Sequence, residues 1–60
     1  MERIKIELNN DMTFVVENDE KDGTITKYIA MGTGEDIDYN DFIMKETLSY
    51  DSFMTRLNKY

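Results

Sequence analysis

Apolar and polar residues alternate along the first half of the chain. Ile4, Ile6 and Leu8 fall on one side of an extended segment and Arg3, Lys5 and Glu7 on the other, the period of a half-buried strand over residues 3 to 8. Asn9-Asn10-Asp11 supplies turn chemistry, because Asn and Asp tolerate left-handed backbone, and Met12, Phe14 and Val16 then resume the alternation. The two segments predict a hairpin. Val15 interrupts the polar side of the second strand, which marks that strand as central or as presenting one apolar residue to a partner.

Asn18 to Gly23 forms a second polar turn that closes on Asp22-Gly23, the dipeptide that most readily supplies positive φ in a hairpin. A third strand follows from Thr24 to Met31. Ile25, Ile29 and Met31 share one side with Lys27, while Tyr28 and Ala30 share the other with Thr24 and Thr26. The Ile side is the better core, with Lys27 snorkelling or at an edge, which puts Tyr28 on the outer face of the sheet.

Gly32-Thr33-Gly34 ends that strand, and Glu35 to Asp41 hold four carboxylates and no base. Phe42 to Leu48 fits either period imperfectly. A strand groups Phe42, Met44 and Leu48 with Glu46 among them; a helix groups Ile37, Met44 and Leu48 with Asn40 or Asp41 between. A short fourth strand is the better reading. From Ser49 to Tyr60 the spacing of Tyr50, Phe53, Met54, Leu57 and Tyr60 predicts a helix with one apolar face. Ser49 suits its N-cap, Leu48 and Phe53 a hydrophobic staple, and Asp51 near the start with Arg56 and Lys59 near the end suits the helix dipole. The expected fold is α+β: a small antiparallel sheet of three or four strands with one C-terminal helix packed on one face. Residues 1 to 60 are expected to form one small domain, with Phe53, Met54 and Leu57 in its core.

At this size folding removes only about 60% of the unfolded chain's surface from water, so small domains usually add a disulfide, a metal or a second copy of themselves. The chain has no cysteine and no histidine, which removes disulfides and every standard zinc, haem or iron–sulfur arrangement. Homodimerisation is the staple that is left. No apolar run follows Met1, and nowhere do 18 apolar residues occur together, so a cytoplasmic protein with no membrane contact is expected.

Thirteen Asp and Glu against seven Lys and Arg give a net charge of −6, gathered at the turns. That balance opposes direct binding to nucleic acid, whose affinity comes from Lys and Arg neutralising phosphates, and favours a basic protein surface as partner. Glu17, Asp19, Glu20 and Asp22 form one acidic group, and Glu35, Asp36, Asp38 and Asp41 another; the loops that carry them are expected at opposite ends of the sheet. Tyr39, inside the second group, is the candidate apolar anchor. Excess charge in loops for solubility is the commoner role of such groups, and packing is the commoner fate of a tyrosine.

Catalysis lacks its usual parts. Asp36, Asp38 and Asn40 match the first, third and fifth oxygens of a calcium loop, but Asp41 stands where glycine is required and Thr47 where a bidentate glutamate is required. Ser49 and Ser52 have no histidine to activate them, and Gly32-x-Gly34 lacks the further glycine and lysine of a phosphate loop. No catalytic, cofactor or metal residue is assigned. A small acidic chain of this kind resembles, in composition, the phage-encoded DNA mimics that block repair glycosylases or defence nucleases. The expected function is a protein-binding inhibitor or regulator that occupies a basic surface of a nucleic-acid-processing protein. The alternative is a self-associating structural or regulatory module.

Overall fold

The computed structural model describes residues 1–57. Four strands run in sequence order through one antiparallel sheet: β1 (Glu2–Glu7), β2 (Met12–Asp19), β3 (Thr24–Met31) and β4 (Asp38–Ser49). A single 3-10 turn, Gly34–Asp36, precedes β4, and one helix, α1 (Tyr50–Leu57), follows it. The segment 42 to 48 is therefore strand, inside a β4 that begins earlier than the pattern suggested. Lys59 and Tyr60, expected in the helix, lie outside the described residues.

Both hairpin turns form as their residue types require. The Asn9 side-chain oxygen accepts the Asp11 and Met12 amides at 2.8 and 3.0 Å, and that of Asp19 accepts the Lys21 and Asp22 amides at 3.1 and 3.2 Å. Gly23 takes φ 65° and closes the second turn.

Directly opposed residues share a face, so the strand register sorts every side chain. One face carries the rows Ile4–Val16–Lys27–Glu46 and Ile6–Phe14–Ile29–Ile43. The other carries Arg3–Glu17–Thr26–Thr47 and Glu7–Thr13–Ala30–Phe42, with Val15 opposite both Lys5 and Tyr28. The deepest burial falls on the face opposite to the one expected. Val15 and Ala30 are fully buried and Tyr28 is 3% exposed, whereas Ile4 and Ile6 are 59% and 53% exposed.

The cause is the path of the chain after β3. The Gly32 amide donates to the Asp11 carbonyl at 2.6 Å and the Thr13 hydroxyl donates to the Gly32 carbonyl at 2.8 Å, which folds the following residues back over the Tyr28 face. Ile37 and Tyr39 then pack on Val15, Tyr28 and Ala30. Irregularities in β4 help. Where Lys27 pairs with Glu46 and Ile29 with Ile43, Met44 and Lys45 together oppose Tyr28, a bulge with Met44 at φ 57°. Lys45 extends to within 4.6 Å of the Phe42 ring centroid and 5.7 Å of that of Tyr28.

Helix α1 lies on the opposite, apolar face but covers only one end of it. Ser49 caps it, its hydroxyl accepting the Ser52 amide at 3.2 Å, and the Tyr50 amide donates to the Gly23 carbonyl at 2.9 Å, tying the helix start to the second turn. The Tyr50 hydroxyl donates to the Asn18 side-chain oxygen. Phe53 is half-buried, but Met54 and Leu57 are 54% and 52% exposed, so the expected packing of these two residues is not found. Over the described residues the helix is about 12 Å long, less than the width of the four-stranded sheet.

Candidate binding surfaces

The predicted acidic groups separate by position. The end of β2 and the turn after it carry Asp19, Glu20 and Asp22 at one end of the sheet, and the link from β3 to β4 carries Glu35 and Asp36 at the other, followed by Asp38 and Asp41 within β4. The eight residues of β3 place these ends about 23 Å apart along the strand. Glu20, Asp22, Glu35, Asp36, Asp38 and Asp41 are exposed, and none of them takes part in the ion pairs found among the described residues. Asp38 also accepts the Asn40 amide at 3.0 Å, which fixes its direction.

Two of the nine predicted residues are held by side chains of other strands. Glu17 lies on the covered face, where its Oε2 accepts the Arg3 Nε at 2.9 Å, pairs with the Arg3 terminal nitrogen at 2.8 Å, and accepts the Tyr28 hydroxyl at 3.0 Å. Tyr39 is half-buried, its ring under the Arg3 guanidinium, 4.2 Å from carbon to centroid. Arg3 thus joins Glu17 and Tyr39 over the same face. Hydrogen bonding to Glu17 holds the Arg3 guanidinium above its ordinary pKa. Burial, then the bond to Glu17 and its charge, pushes the Tyr28 phenol up to about 12.

Register adds two acids that the sequence groups did not include. Glu2 pairs with Asn18 and so stands beside the turn after β2. Partial burial, followed by the charges of Glu20, Asp19 and Glu2, raises the Tyr50 phenol above its ordinary value. Asp11, bonded through its carbonyl to Gly32, stands beside the other acidic end. Both follow from pairing the predicted strands antiparallel, which is the signal that locates them.

The second surface is the apolar face. Between α1 and the sheet it deepens into a groove of about 630 Å³ whose apolar lining includes Ile4, Val16, Ile25, Phe53 and Met54. Beyond the helix the face is open, with Ile43 48% exposed at its β4 side. Among the described residues no three His, Cys, Asp or Glu side chains converge on a metal-sized site, and no helix is long and apolar enough to cross a membrane. Comparison with protein-family models, with characterised proteins and with solved structures returns no match.

Proposed function

We propose that the protein is a binding module without a reaction of its own, which sets its carboxylate-bearing strand ends on a basic surface of a nucleic-acid-processing protein, as a DNA mimic does. The supporting observation is the set of exposed carboxylates at both ends of one sheet, free of ion pairs among the described residues. Charges so placed steer encounter with a basic cleft and lose their pull as salt rises. Glu17 and Tyr39, held by Arg3, support the site from behind rather than reaching the partner first.

The test is retention from a cytoplasmic lysate on immobilised protein, at low and raised salt, followed by elution with duplex DNA. A retained nucleic-acid-binding protein that salt and DNA both release, and that the Asp36→Lys, Asp38→Lys double variant no longer holds, is the expected result. Retention indifferent to salt, to DNA and to the reversals refutes the reading. The open apolar face favours a second reading, a self-associating module whose acidity serves solubility.

A further inference from the structure

The apolar face of the sheet is only partly covered among the described residues. Its central row, Ile6, Phe14, Ile29 and Ile43, crosses all four strands, with Ile4 and Val16 in the row beside it. Among the described residues this face gains only α1 at one end, and those buried on the other side of the sheet include just three apolar ones, Val15, Tyr28 and Ala30. We propose that a second copy of the chain closes the face, the two sheets packing face to face as a β-sandwich.

Area supports this occupant. The chain exposes 4669 Å², while a compact monomer of its 7.1 kDa exposes about 4,100 Å². The excess, roughly 600 Å², matches one partner's share at the low end of specific stable interfaces, which bury about 1,200 Å² in total. The thinnest dimension of the molecule is 15 Å, that of one sheet with a thin cover. A second sheet about 10 Å away supplies the missing layer of an ordinary two-layer domain.

Charge supports it as well. A two-fold contact sets the same patch against itself, so the patch must not repel its own image. The charges within the apolar rows, Lys27 and Glu46, pair at 3.9 Å, and Arg56 bonds Glu46 at 2.7 Å, while Glu2 and Asp38, opposite Asn18 and Met31, stand at the corners of the face. The net −6 resides at the strand ends instead, outside the apolar rows. An anionic lipid surface is the poorer occupant, because those acidic ends rim the face.

Pairing through the sheet edges is disfavoured on both sides. The Met44–Lys45 bulge interrupts the ladder of β4, and the charged side chains of Glu2, Arg3, Lys5 and Glu7 occupy β1. The face is what remains. Association through it leaves the carboxylate ends free, so this proposal and the one above can fail separately.

Sedimentation of the full chain tests it, with Ile6→Glu and Ile43→Glu on the open face and Lys5→Glu on the covered face as control. The wild type and Lys5→Glu are expected at twice the 7.1 kDa chain mass, independent of salt, with the two face variants weakening association about a hundredfold or more. Because the face variants can also unfold the chain, spin labels on single cysteines, introduced into a chain that has none, give a second readout: Ile43→Cys labels couple strongly across the dimer and Lys5→Cys labels weakly. A folded wild type of monomer mass at every concentration overturns the proposal. So does a dimer in which Lys5→Cys labels lie closer together than Ile43→Cys labels.

Discussion

Tyr28 donates its hydroxyl hydrogen to Glu17 at 3.0 Å, across the two central strands and on the face of the sheet that the chain itself covers. Glu17 also holds Arg3, so one carboxylate joins three strands. Removing it by Glu17→Ala leaves a buried hydroxyl without its acceptor and costs about 1–3 kcal/mol, measured by denaturant unfolding. Glu17→Gln keeps an acceptor and loses less. Equal losses would mean that the hydroxyl finds water instead.

The same bond gives the fold an alkaline limit. An unfolded tyrosine titrates near 10, and burial with the Glu17 contact pushes Tyr28 up to about 12 in the folded chain. A pKa raised on folding contributes stability that is complete below the unfolded value and lost as pH climbs through the folded one. Stability therefore falls between about pH 10 and 12, and the fall is shallower in Tyr28→Phe. Parallel unfolding profiles for the two proteins would contradict the burial of Tyr28.

Gly32 turns the chain back over the Tyr28 face at φ 92°, where a Cβ would press on the Asp36 carbonyl and sit 3.2 Å from the Ile37 Cα. Gly32→Ala is expected to cost more than about 1 kcal/mol in thermal or denaturant unfolding. It should also raise amide exchange at Val15 and Ala30, which the segment covers. An unchanged exchange pattern would show that the cover is held by something other than this turn.

Met44 occupies the left-handed region at φ 57° in the β4 bulge, with its side chain largely exposed. A non-glycine residue there carries a backbone cost of about 1–2 kcal/mol, which glycine avoids at some expense in unfolded-state entropy. Met44→Gly is expected to raise the denaturant midpoint, a gain of about 0.5–1 kcal/mol. A loss instead would mean that the Met44 side chain packs in solution, as it would if it met another molecule.

Much of this architecture is legible in the residues alone. Period-two alternation marks β1 to β3, Asn9 and Asp22-Gly23 mark their turns, and Ser49 marks the helix start. Which face is buried is not legible in the same way. Phe14 and Val16 bracket Val15, and Ile29 stands between Tyr28 and Ala30, so each central strand offers apolar residues to both sides. The choice falls to a non-local event, the return of Ile37 and Tyr39 across the sheet. The acidic turns are equally readable from composition. The engagement of Glu17 and Tyr39 is not, because both depend on Arg3, which the register and the fold-back bring to them from the first strand.

A single chain's buried core is small, and in the proposed dimer a second copy completes it. The most direct measurement is the thermal midpoint of the wild type across about a hundredfold range of protein concentration, because linked association makes that midpoint depend on concentration. A midpoint that climbs steadily with concentration is the predicted result. The same midpoint at every concentration, with a cooperative transition throughout, would mean that one chain is stable with its apolar face open to water.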